Sequence, residues 1–194
     1  MRLTAICLMI PLGILIVGCF SRGTLTRPNS QITIFDVQLA FPMRDYHRKG
    51  MVISAAQANK LKEFYGQEVF KTGETLVYYT VKPLKHRGRA LQLLGEVIKI
   101  EGEEIGVLVG LRKGTIKDVS LRKGDAVKAF PGMEEFLSQF VRKDMGSSFE
   151  LVIRPEDLLA LPFKLKPIPG YRVASKRLAD LLQKMVVIAE VLRL

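Results

Sequence analysis

The sequence predicts an α+β fold: an antiparallel meander sheet packed by helices, with a long helix at the C-terminal end. Three observations carry this expectation. Strand-like runs follow one another between residues 75 and 122 with only short turns between them, whereas a parallel crossover needs about a dozen connecting residues. The last twenty residues repeat apolar side chains at helical spacing. The chain has 194 residues, 48% of them hydrophobic and 25% charged, which suits one domain with appendages.

In chain order, Ile32, Ile34, Val37, Leu39 and Phe41 alternate with one phase slip and predict an extended segment. Ser54 and Gln57 form a capping-box pattern. Ala55, Ala58, Leu61, Lys62 and Tyr65 then fit a helix stopped at Gly66. Residues 75–82 (TLVYYTVK) are β-branched and aromatic, as a strand requires. Runs 90–100, 104–111 and 115–122 complete a four-stranded meander, with turns at Gly102 and at Lys113-Gly114. A helix is expected over 133–142, with Phe136, Leu137 and Phe140 on one face, followed by a short strand over 149–153. Residues 155–161 read as a short helix with proline in its first turn. Pro162, Pro167 and Pro169 stiffen an extended loop, and residues 174–192 form the last helix. Its buried stripe is Leu178, Leu181, Leu182, Met185, Ile188, Ala189 and Leu192.

The N-terminal region has another character. Residues 3–17 (LTAICLMIPLGILIV) are nearly all apolar, follow Arg2, and are interrupted by Pro11 and Gly13. A spanning helix wants about 18 or more clean apolar residues, so this run reads as a signal-peptide core. It ends in Val17-Gly18-Cys19, which resembles the bacterial lipobox. That resemblance implies cleavage before Cys19 and lipid on that cysteine. The expected plan is a signal peptide over 1–18, a lipidated polar tether over 19–30 and a single domain over 31–194. Phe20 follows the cysteine where an aspartate would resemble an inner-membrane retention signal, which favours the outer membrane if the cell has two. The expected location is the cell envelope, lipid-anchored on the periplasmic side.

Composition excludes several chemistries. The two cysteines both precede residue 20, so the body has no disulfide framework and no Cys-ligated metal centre. His47 and His86 stand alone, against a histidine metal site. Glu101, Glu103 and Glu104, and Glu134 and Glu135, sit at turns or helix starts rather than as a paired acid and base. The net charge of +11 is dispersed, much of it in turns. It suits anionic headgroups or an acidic redox-partner protein. Without a reader motif or stacking array, and with an export signal, nucleic acid is not an expected partner.

One further pattern concerns residues 54–192. The stretch GEEIGVLVGLRKGTIKDVSLRKGDAVKAFPGMEEFLSQFVRKD and the closing IPGYRVASKRLADLLQKMVVIAEVL resemble the small FMN-binding domain found in Rnf-type electron-transport complexes and in sodium-pumping quinone reductases. That family carries FMN on a threonine in a Ser/Asp-Gly-Ala/Ser-Thr motif opening the last helix. Here Pro169, Gly170, Tyr171 and Arg172 take those places. A guanidinium cannot form a phosphoester, so covalent flavin at Arg172 is excluded. Ser175 lies one turn away and out of register. The loop 122–132 also departs from the family's Glu-Thr-Pro-Gly type. The resemblance then implies electron transfer by FMN held noncovalently at Gly170, Tyr171, Arg172, Val173, Ser175 and Lys176, since a helix N-terminus suits a phosphate. The alternative is a flavin-free interaction or assembly module on the same scaffold.

Overall fold

The computed structural model describes residues 32–42, 44–83, 89–122, 131–153 and 164–194. The expected signal peptide and tether, Cys19, His86, most of the loop 122–132 and the helix expected over 155–161 lie outside them. The described elements are α1 (Ile34–Ala40), β1 (Arg44–Val52), α2 (Ala55–Tyr65), β2 (Thr75–Pro83), β3 (Leu91–Ile100), β4 (Glu103–Arg112), β5 (Thr115–Leu121), α3 (Met133–Ser138) and α4 (Arg172–Leu192). The five strands form one antiparallel sheet in the order β1-β2-β3-β4-β5.

The α+β class, the meander and the long terminal helix agree with the sequence reading. Two tight hairpins explain the meander. Glu101-Gly102 and Lys113-Gly114 all have positive φ (51°, 89°, 50° and 68°), so each pair turns the chain within two residues. Helix α2 begins on the expected box: the Ser54 hydroxyl accepts from the Gln57 N–H at 3.3 Å, and the Gln57 side chain accepts from the Ser54 N–H at 3.0 Å. It stops at Gly66, which has φ 66°.

Several expectations are corrected. Residues 34–40 are helical, not extended. The Thr33 hydroxyl accepts from the Asp36 N–H at 3.2 Å, and the Asp36 carboxylate accepts from the Thr33 N–H at 2.8 Å. This second capping box nucleates a helix whose spacing in sequence resembles an alternation with a slip. The sheet has five strands rather than four. Strand β1 (RDYHRKGMV) pairs with β2 along all nine residues, and its charged side chains hide it in the sequence. Charge is how an exposed edge strand avoids pairing with other chains. Helix α3 ends at Ser138, four residues early, in turns that lead to Arg142 with φ 76°. Residues 149–153 form only one parallel bridge, Leu151 to Leu165. Helix α4 starts at Arg172 rather than at residue 174.

The core lies mainly between one face of the sheet and α2, α3 and α4. Ile105, Val107, Val109 and Leu111 of β4 meet Leu178, Leu182, Met185 and Ile188 of α4, with Phe136 and Phe140 beside them. Every residue of the expected α4 stripe is buried. The opposite face carries a smaller cluster, in which Ile32, Val37 and Phe41 lie against Tyr79, Val81, Leu93, Val97 and Leu108.

Candidate functional site

The amino end of α4 is the phosphate site expected from the sequence. Gly170 makes a left-handed turn, φ 77°, with open space around it. Tyr171 is half-buried against the main core and occupies the N-cap position of the helix. Val173 is 64% exposed and points away from the packed face. The remaining three residues make bonds within the chain. One Arg172 amino group donates to the carbonyls of Val152 and Ile153, at 2.9 and 3.0 Å. The fully buried Ser175 hydroxyl accepts from the Ile168 N–H and donates to the Tyr171 carbonyl, both at 2.8 Å. Lys176 pairs with Asp180 one turn along. Beside them, Arg177 donates to the Lys99 carbonyl at 2.9 Å, at the end of β3.

These residues are neighbours, as the sequence suggests, but they form a tie. They fasten the start of α4 to the 152–153 segment, to the 168–171 turn and to the sheet. Ser175 illustrates the chemistry. A buried hydroxyl that receives a backbone N–H and gives its proton to a backbone carbonyl has satisfied groups that would otherwise be costly.

A second polar group, missed in the sequence reading, lies inside the protein. Glu96 of β3 and Lys184 of α4 form an ion pair at 2.7 Å, with side chains only 5% and 4% exposed. The Tyr65 hydroxyl of α2 donates to the Lys184 carbonyl at 3.1 Å. Burial lowers the Lys184 ammonium from its ordinary pKa, while Glu96 acts against the shift. Burial, and secondarily Glu96, raises the Tyr65 phenol. The signal was available. Residue 184 falls between Leu181 and Ile188 on the apolar stripe, and Glu96 shares the inward phase of Leu94 and Ile98. Two opposite charges at inward positions belong together. The pair ties β3 to α4, and the Tyr65 hydroxyl adds α2 to the same junction.

A shallow open depression of about 630 Å³ is lined by Gln139, Lys143, Gly146, Ser147, Ser148, Lys164 and Leu165. Its cations also have partners: Lys143 donates to the Ser148 carbonyl at 2.6 Å, and Lys164 meets Glu150 at 2.8 Å. Burial lowers the Lys143 ammonium, and Asp144 opposes this. Among the described residues no three His, Cys, Asp or Glu side chains gather as metal ligands, and no helix is long and apolar enough to cross a membrane.

No family model, curated protein or solved structure matches this chain.

Proposed function

We propose that this protein is an envelope lipoprotein. Its apolar leader is cleaved before Cys19, and lipid on that cysteine holds it to the membrane on the periplasmic side. The α+β domain serves as a flavin-free interaction or assembly module. The observation that favours this over electron transfer is the bonding of Arg172. The guanidinium that would have to hold the FMN phosphate already bridges two backbone carbonyls. Ser175 is enclosed in the same tie.

The competing reading keeps FMN, with Gly170 open to solvent and Lys176 exposed beside it. Two charge-assisted bonds and the helix dipole would supply about 3–7 kcal/mol before the cost of immobilising the ligand. Holding a phosphate with the amino group that now bonds the two carbonyls would subtract from that sum.

Absorbance of the purified full chain, before and after acid precipitation, separates the two. A flavin-free module is colourless and gives no heat when titrated with FMN. Colour released by acid would establish noncovalent flavin and defeat this reading. In that case Arg172→Ala should weaken FMN binding about tenfold or more. Anchoring is checked by palmitate labelling, which Cys19→Ser should abolish.

A further inference from the structure

We infer that the outward side of α1, Phe35 with Ile34 and bordered by Arg44 and Arg48 of β1, is the face this protein lays against an anionic lipid bilayer. This rests on the membrane anchoring proposed above.

The described chain begins at Ile32, thirteen residues after Cys19, and enters α1 directly. A tether of that length reaches about 45 Å when extended. It limits distance from the membrane but sets no orientation. Orientation then falls to whichever nearby surface has affinity for the bilayer.

Helix α1 is held at both ends and along its inner side. Its inner side is complete: Ile32, Val37 and Phe41 are buried against the sheet. The Tyr79 hydroxyl donates to the Ile32 carbonyl at 3.2 Å at one end of the helix, and the Tyr46 hydroxyl donates to the Phe41 carbonyl at the other. The only acid in α1, Asp36, is turned back into the cap with Thr33. Phe35 is left 62% exposed and Ile34 38% exposed on a firmly fastened helix. An aromatic side chain held out in this way suits the headgroup region, where such rings partition.

Arg44, Tyr46 and Arg48 alternate on one face of β1, and Tyr46 fixes that face as the one beneath α1. Arg48 is the cross-strand neighbour of Tyr79, near the start of α1, and Arg44 lies near its end. Two guanidiniums therefore rise from the α1 face of the sheet, one toward each end of the helix, where they suit anionic headgroups. Val52, Phe64, Val141 and Met145 are also exposed, each without an apolar sequence neighbour that is exposed with it, and Ile153 and Val173 lie near the start of α4, on the far side of the sheet.

The protein contains no tryptophan, so Phe35→Trp introduces a single reporter. The full lipidated chain carrying it would be reconstituted in vesicles of phosphatidylcholine, with or without phosphatidylglycerol, containing lipids with a quencher on the upper acyl chain. Expected are a blue-shifted emission and strong quenching, both greater with phosphatidylglycerol. Val173→Trp in the same vesicles should keep a water-like spectrum. Adding Arg44→Glu and Arg48→Glu to Phe35→Trp should remove the preference for phosphatidylglycerol. A water-like Phe35→Trp signal on chains that float with the vesicles would overturn the inference and leave the anchor standing. Equal quenching at both reporters would also overturn it. A blue shift without lipid that grows with protein concentration would assign the face to a second copy instead. A chain that fails to float with Cys19 intact would defeat the anchoring and this inference together.

Discussion

The two faces of the sheet are closed in different ways. One is covered by α2, α3 and α4, which bury a broad apolar core and a charge pair within it. The other, among the described residues, is covered by α1, a seven-residue helix with a small cluster beneath it and apolar and basic groups turned outward. The first arrangement places nearly all its chemistry in holding the protein together. The second leaves side chains whose exposure the fold does not require. Buried polarity on the helical face is therefore structural, and the outward groups of α1 are those the proposed membrane contact would use.

The largest expected effect tests the structural half of that contrast. Lys184→Met leaves the Glu96 carboxylate buried without its cation, so urea unfolding should show a loss of about 3–5 kcal/mol. Replacing both, as Lys184→Met with Glu96→Leu, should restore most of the loss or exceed the parent, because a paired apolar substitute carries no desolvation cost. If the double variant is as unstable as the single one, the pair has a role beyond mutual neutralisation. Phe35→Ala, by contrast, should stay within about 0.5 kcal/mol of the parent.

Legibility in the sequence also divides along these lines. Strands β3 and β4 are readable as apolar runs buried on both faces, and α4 as one apolar stripe from Leu178 to Leu192. The region of α1 and β1 misleads because it obeys two rules at once. Residues 32–41 carry apolar groups both inward, as Val37, and outward, as Phe35, so no single period emerges. Strand β1 is specified by its ladder to β2, and backbone pairing leaves no hydrophobic pattern in Arg44, Asp45, Arg48 and Lys49. The candidate site at α4 is legible as a place and not as an arrangement. The helix start follows from sequence, but the direction of the Arg172 guanidinium depends on where residues 152 and 153 return in space.

A middle-sized effect asks whether the start of α4 is a tie or an altered ligand site. Ser175→Ala removes the acceptor of the Ile168 N–H and leaves that donor buried. The expected loss is about 1–3 kcal/mol of unfolding free energy. A stability unchanged by this substitution would mean the hydroxyl does not hold the turn, and would make Ser175 a candidate for ligand contact again.

The smallest effect has the most specific signature. Tyr65→Phe removes one hydrogen bond to the Lys184 carbonyl and should cost about 1 kcal/mol at neutral pH. The phenol is held above its ordinary value of 10.0, so above pH 10 the unfolded chain releases this proton while the folded chain keeps it. The folded state then binds more protons, and stability falls as pH rises. The Tyr65 contribution is therefore complete below pH 10 and lost above it. Lys184 acts in the opposite sense. Its lowered pKa means that the unfolded chain binds more protons just below 10.5, so this group raises stability as pH climbs toward that value. Both variants of the comparison contain Lys184, and its effect largely cancels in the difference. The gap between parent and Tyr65→Phe should thus narrow above pH 10 and then reverse, in urea titrations run from neutrality into the alkaline range. A gap that stays constant would show that the phenol ionises as freely in the folded protein as in the unfolded one, and that the helical face is more open to water at the α2–α4 junction than the buried Glu96–Lys184 pair implies.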